Sequence, residues 1–129
     1  MKAWRFDKGF RKLLAWQEAR QLTLRIYEVT KTFPKEELYG LTSQLRQAAS
    51  SVDAQIAEGS RMPTEQHRKL YYDRAYASTA EVDNFLELAH DLGYLNDMDY
   101  DELLERTNHV AFLIHRLSAS CFRKEKEPS

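Results

Sequence analysis

The sequence predicts an all-α fold: an antiparallel, up-down-up-down four-helix bundle that assembles as a homo-oligomer. In four successive segments, apolar residues recur every three or four positions, which is the spacing of one helix face. The three prolines and four glycines of the chain fall near the predicted helix ends or in the tails. Short connections between the segments predict antiparallel neighbours, and extra apolar or small polar stripes predict contact between subunits.

The composition is that of an ordinary globular chain. With 129 residues, 43% of them hydrophobic, the chain is long enough to bury one core, and we interpret residues 1–129 as a single domain. Its one cysteine, Cys121, cannot form an internal disulfide, and no apolar run reaches the roughly 18–20 residues that span a bilayer. The first ten residues lack the apolar core of a secretion signal. We therefore expect a cytoplasmic protein without membrane contact.

The first predicted helix covers residues 11–32 and follows an arm, residues 1–10. The arm holds three aromatic residues, which disordered tails rarely contain, so we expect it to dock on its own bundle or on a neighbouring subunit. The helix has a heptad seam from Ala19 to Phe33, and Pro34 ends it. Other apolar residues lie off the seams of the first and fourth helices, and we interpret them as oligomer contacts: Leu13, Trp16, Leu24, Tyr27 and Phe112.

The second predicted helix, residues 41–58, carries two stripes. One stripe is apolar, and the other is small and polar, which predicts that the helix is contacted by its own companions and by a neighbour beyond the chain. Gly59 is predicted to end the helix as a left-handed residue. A polar seam or interface, with a ligand pocket as the alternative, is assigned to eight residues of the second and third helices: Gln44, Arg46, Ser51, Gln55, Glu58, Gly59, Ser78 and Glu81.

The third predicted helix covers residues 64–92. Thr64 is its expected N-cap, a heptad seam runs from Tyr71 to Leu92, and Gly93 ends it. The fourth helix is predicted to begin at Asp99, because Asp99-x-x-Glu102 is similar to a capping box. The last residues, 123–129, are charged and are expected to fray.

The charge is unevenly distributed, although the net charge is only −1. Residues 1–33 contain eight Lys/Arg against three Asp/Glu. Such a basic helix either pairs with acidic neighbours in its own bundle or binds nucleic acid by neutralising phosphates. The second interpretation depends on six residues: Arg5, Lys8, Arg11, Lys12, Arg20 and Arg25.

The sequence favours a protein that is not an enzyme and has no cofactor or metal. A di-metal carboxylate site in a bundle needs Glu-x-x-His on two helices. The one match joins Glu87 to His90, and both are predicted to face outward. Glu105 and His109 have the spacing of a surface pair, and no pattern places a base beside a Ser or Cys nucleophile. A di-metal enzyme is the third alternative.

Several ordered motifs resemble one family. They are Trp16-Gln17-x-Ala19, Phe33-Pro34, Tyr39-Gly40-Leu41-Thr42-x-Gln44-Leu45-Arg46, Ser51-x-x-x-Gln55-Ile56-Ala57-Glu58-Gly59, Ser78-x-x-Glu81 and Leu92-Gly93-Tyr94-Leu95. This set is similar to the four-helix-bundle proteins encoded in intervening sequences of 23S ribosomal RNA, and to the accessory variability proteins of diversity-generating retroelements. The resemblance implies a homopentamer without known catalytic activity. For the retroelement relatives it implies binding to nucleic acid and to a reverse transcriptase.

Two features depart from the family pattern. Gln55 stands where the family usually has Asn, and Ala77 stands where it often has Gly. The pI near 6.4 also differs from the strongly basic retroelement members, and nucleic-acid affinity depends on neutralising phosphates. We therefore favour a homo-oligomeric scaffold or adaptor, with nucleic acid or a nucleic-acid enzyme as the alternative partner.

Overall fold

The computed structural model describes residues 9–122. Within these residues there are four α-helices and no strand, which confirms the all-α prediction. The helices are α1 (Leu14–Thr30), α2 (Leu41–Ser60), α3 (Glu65–Asp91) and α4 (Asp97–Ser120). Short 3-10 helices at Phe10–Lys12 and Lys35–Glu37 precede α1 and α2. Most of the predicted arm and the predicted frayed tail lie outside the described residues.

Two helix starts differ from the prediction. α1 begins at Leu14 rather than at residue 11, because Leu13 is extended (φ −74°, ψ 125°) and separates the helix from the 3-10 turn. α4 begins at Asp97, because the side chain of Asn96 accepts a hydrogen bond from the backbone N–H of Asp99 at 2.7 Å. Asn96 is therefore the N-cap, and Asp99 lies in the first turn.

The predicted cap and stop of α3 are confirmed. The Thr64 hydroxyl accepts a hydrogen bond from the backbone N–H of His67 at 3.1 Å, as an N-cap residue does. After the helix, Gly93 has a φ of 82°. The backbone N–H of Tyr94 donates to the carbonyl of Ala89 at 2.9 Å. This geometry closes the helix with a left-handed glycine.

Gly59 does not end α2, so that prediction was wrong. The helix continues to Ser60, and Gly59 is buried inside it. A Cβ at this position would lie 2.9 Å from both the Cβ of Tyr71 and the Cε1 of Tyr72. The glycine is needed because α2 and α3 approach each other closely here, and not because the backbone turns.

One hydrophobic core is formed by all four helices. Its largest fully buried side chains include Leu22, Ile26, Leu45, Val52, Ile56, Val82, Leu86, Leu103, Val110 and Ile114. On α3 the predicted seam was wrong in part. Tyr72 and Leu86 are buried instead of their neighbours Tyr71 and Phe85, and Leu92 is half-exposed. The buried stripe keeps the spacing of a heptad, with steps of three and four through Tyr72, Ala75, Thr79, Val82, Leu86 and Ala89. It shares every second position with the predicted seam and lies one residue later at the others.

Successive helices pack on one another, and α4 also packs on α1. Polar side-chain contacts join successive helices: Arg20 with Asp53, Thr30 with Arg46, Gln55 with Ser78, Asp73 with Ser118 and His90 with Asp97. The start of α1 lies near the end of α2 and the end of α4. The loop before α2 lies near the turn between α3 and α4.

Candidate interaction surfaces

Two residues of the small polar stripe of α2, Ser51 and Gln55, form hydrogen bonds within the same chain. The amide of Gln55 donates a hydrogen bond to the hydroxyl of Ser78 on α3 at 3.1 Å. Ser51 donates to the carbonyl of Ala48 in its own helix at 2.8 Å. In a ring of four helices each helix touches two neighbours, so α1 and α3 account for both stripes. A neighbour beyond the chain is not needed to explain Ser51 and Gln55.

The other members of the predicted polar seam lie at the surface or between α1 and α2. Gln44, Glu58 and Glu81 are exposed. Arg46 donates to the hydroxyl of Thr30 at 2.8 Å, and its guanidinium lies 4.7 Å from the ring centroid of Tyr27. Arg46 therefore fastens α2 to α1.

A buried carboxylate, Asp53, is a residue that the sequence analysis missed. It is only 4% exposed. Its Oδ2 accepts hydrogen bonds from the Nε of Arg20 at 3.1 Å and from the hydroxyl of Thr23 at 2.9 Å. The guanidinium of Arg20 also lies 4.8 Å from the centroid of the Trp16 ring. This cluster joins α1 to α2. The sequence signal was an acid directly after the core residue Val52.

Arg25 is surrounded by three carboxylates. It donates to Glu102 at 2.9 Å, to Glu28 at 2.7 Å and to Asp99 at 3.1 Å. The hydrogen bond with Glu102 is the main reason why the pKa of Arg25 is raised. The same bond lowers the pKa of the Glu102 carboxyl. α1 and α4 are thereby linked by a surface ion-pair network.

Two of the six basic residues assigned to nucleic acid, Arg20 and Arg25, therefore have carboxylate partners in the chain. These contacts match the first interpretation of the basic third, pairing within the bundle. Arg11 and Lys12 are exposed beside the start of α1. Arg5 and Lys8 lie outside the described residues.

Three of the five predicted oligomer contacts are exposed apolar side chains, two on α1 and one on α4. Leu24 and Phe112 are each 55% exposed, and Tyr27 is 42% exposed. Leu13 and Trp16 are half-buried and pack against the core. The ring centroids of Trp16 and Phe10 also lie 5.2 Å apart. The sequence analysis missed Leu14, which is 53% exposed and lines a groove with Leu113 and Leu117.

The described residues carry opposite charge at the two ends of the bundle. One end, which we call the basic end, comprises residues 9–22, 51–78 and 109–122, with eight Lys/Arg against five Asp/Glu. The other, the acidic end, comprises residues 23–50 and 79–108, with five Lys/Arg against twelve Asp/Glu. Sequence counting along the chain did not reveal this, because each end collects residues from all four helices.

The residues considered for metal binding lie on α3 and α4, and Glu105 and His109 of α4 are exposed and line one open groove. Glu87 is exposed, whereas the Nε2 of His90 lies 2.6 Å from Asp97. In the part of the chain that the structure describes, no three His, Cys, Asp or Glu side chains are grouped to hold a metal ion. Burial raises the pKa of the Cys121 thiol, which disfavours the reactive thiolate. Over residues 9–122, no helix has the length and hydropathy needed to cross a membrane.

Comparison with known proteins places this fold in a family. The model of the 23S rRNA-intervening sequence protein family matches residues 11–116. The chain belongs to this family. A structural relative, described as a protein with unknown function from the S23 ribosomal protein family of Bacteroides thetaiotaomicron, has a TM-score of 0.74 and 15% sequence identity. The match covers 81% of this chain and 98% of that one. At this identity the relative supports the fold alone. No curated protein matches the sequence.

Proposed function

We propose that this protein is a non-enzymatic scaffold or adaptor that self-associates through the exposed apolar surface of α1 and α4. Its subunits are antiparallel, up-down-up-down bundles, and the resemblance to the family implies five of them. The observation that carries the proposal is the exposure of Leu24 and Tyr27 on α1 and of Phe112 on α4; Leu14 is also exposed, at the start of α1. Single exposed apolar residues are ordinary, but a set on adjoining helices is typical of a protein interface.

Burial of these apolar side chains between subunits favours association. Burying one leucine or phenylalanine side chain contributes about 1.5–3 kcal/mol. In a closed ring each subunit contacts its two neighbours through two different patches. Each apolar residue therefore lies in one interface, and its burial contributes once per subunit. Arg25 follows Leu24 in the chain and pairs with Asp99 and Glu102 of α4, so charge lies next to Leu24, and charged residues are usually found at the rims of interfaces.

Replacing Leu24 by glutamate is expected to dissociate the assembly. The change places a charge where an apolar side chain is proposed to be buried, so the mass measured by light scattering after size exclusion falls to that of one subunit. Leu88→Glu is the matched control, because Leu88 is 43% exposed on α3, away from the proposed surface. Both variants keep their helical circular dichroism. If the mass of the assembly is unchanged in both Leu24→Glu and Phe112→Glu variants, the proposed surface is contradicted.

A second candidate function is nucleic-acid binding, with a nucleic-acid enzyme such as a reverse transcriptase as a further partner. The excess of Lys/Arg at the basic end favours it. A ring of subunits would repeat this weak positive charge several times around one axis. The number of phosphates that the assembly contacts, and with it the affinity for nucleic acid, would rise accordingly.

The test is the binding of a fluorescent single-stranded RNA at about 50 mM salt. We expect Arg11→Gln combined with Lys12→Gln to weaken binding, since both side chains are exposed at the basic end. Lys31→Gln combined with Lys35→Gln is the control at the acidic end. Absence of binding by the unmodified protein at this salt concentration removes this function.

A further inference from the structure

The loop before α2 is held in place by hydrogen bonds. The backbone N–H of Leu38 donates to the carbonyl of Lys35 at 3.1 Å, and that of Gly40 donates to the carbonyl of Glu37 at 2.9 Å. The carboxylate of Glu37 accepts from the backbone N–H of Leu41 at 3.2 Å and from the hydroxyl of Tyr94 at 2.9 Å. The hydrogen bond to Glu37 also raises the pKa of Tyr94. Glu37 therefore ties the loop both to α2 and to the turn between α3 and α4.

This ordered loop and the adjoining turn nevertheless present apolar side chains to solvent. Tyr39 is 93% exposed and Met98 is 80% exposed, while Leu38 and Leu92 are each about half-exposed. The Glu37–Tyr94 hydrogen bond brings their two segments together at one end of the bundle. We call these four side chains the apolar cluster. Because Tyr39 and Met98 bury so little surface, they contribute little to the core and are available to a partner.

The apolar cluster lies within the most acidic part of the chain. Residues 31–41 and 87–102 contain eight Asp/Glu against two Lys/Arg, and two of the eight, Asp99 and Glu102, are paired with Arg25 of α1. Glu36, Asp91, Asp97 and Asp101 are all exposed there. The pKa of Tyr100 at the start of α4 is raised, first by desolvation and then by nearby carboxylates. Such a surface repels nucleic acid and attracts cationic side chains.

We propose that the apolar cluster and its acidic surroundings are a docking surface for a basic segment of a partner polypeptide. Lys and Arg of the partner pair with the carboxylates, and its aliphatic or aromatic side chains cover Leu38, Leu92 and Met98. An Arg of the partner stacks on the exposed ring of Tyr39. Leu38 and Tyr39 belong to the loop before α2 and not to α1 or α4, so this end of the bundle remains accessible in an assembly formed side by side by those two helices.

The first measurement uses the full chain and a synthetic, fluorescein-labelled peptide of about 12 residues made of Lys, Leu and Trp. We expect fluorescence anisotropy to detect binding that weakens about tenfold between low and physiological salt, because part of the attraction is electrostatic. A peptide with Glu in place of every Lys does not bind at the acidic end. Equal binding of the two peptides, or no binding of the basic one, overturns the proposal.

The second measurement separates a specific surface from general charge attraction. Tyr39→Ser combined with Met98→Ser is expected to weaken binding of the basic peptide about tenfold. Leu70→Ser, at a residue that is 46% exposed on α3 within the basic end, is the control and leaves binding unchanged. Asp91→Asn combined with Asp101→Asn weakens binding about threefold.

Two results would overturn the inference. One is equal peptide affinity for the Tyr39→Ser/Met98→Ser variant and the unmodified chain. The other is a fall in assembly mass for that variant, which would make the surface an interface between copies. An unchanged mass with weakened peptide binding supports the proposal, whether or not the Leu24 surface proves to be the subunit interface.

Discussion

Replacing Arg20 by leucine is expected to lower the free energy of unfolding by about 2–4 kcal/mol. Asp53 is 4% exposed. Without the guanidinium, the hydroxyl of Thr23, at 2.9 Å, is the one side-chain group that still faces the carboxylate in the described contacts. A buried carboxylate that loses its countercharge costs more than the ion pair itself contributes. Urea unfolding followed by circular dichroism measures the change.

Two companion variants identify the mechanism. Replacing both Arg20 and Asp53 by leucine removes the uncompensated charge, and we expect it to restore most of the lost stability. Lys31→Leu, at the exposed C-cap residue of α1, should change stability by no more than about 0.5 kcal/mol. A double variant less stable than Arg20→Leu would show that the cluster stabilises the fold in another way.

Gly59→Ala is expected to destabilise the protein by about 1–3 kcal/mol, although alanine is the better helix former. The added methyl would lie 2.9 Å from the Cβ of Tyr71 and from the ring of Tyr72. Tyr72 is only 4% exposed and cannot swing away, so α2 and α3 must separate. Thermal or urea unfolding is again the measurement.

The matched control for Gly59 lies in the same helix. Ala54 is exposed on α2, and Ala54→Gly should cost about 1 kcal/mol through helix propensity alone. The preference between alanine and glycine is thus expected to reverse from position 54 to position 59. A stability gain in Gly59→Ala would mean that the two helices do not pack as closely as described.

The helices were predictable from the sequence because helical periodicity is a local property. Thr64 and Gly93 were also predicted correctly, since capping depends on residues a few positions apart. The same local logic failed at Gly59, where glycine serves a contact with Tyr71 and Tyr72 on another helix. It also failed at Asn96, although Asn96-x-x-Asp99 carried a usable capping signal.

The partners of the charged residues were not predictable, because they are distant in the chain. Arg25 meets Asp99 and Glu102, which are 74 and 77 positions away. A basic stretch of sequence therefore turned out to be paired in part within the bundle. The exposure of Leu24 and Phe112 was expected from their place off the heptad seams. The exposure of Tyr39 was not predicted, because loop residues have no periodicity to interpret, and that of Met98 was not, because it precedes the predicted start of the fourth helix.

The mass of the unmodified protein in solution tests self-association most directly. Size exclusion with light scattering at micromolar concentration should give several times 15.2 kDa, and five times that value if the number implied by the family resemblance holds. A single, stable species of 15.2 kDa would contradict the proposed scaffold and leave the apolar surface of α1 and α4 without its partner.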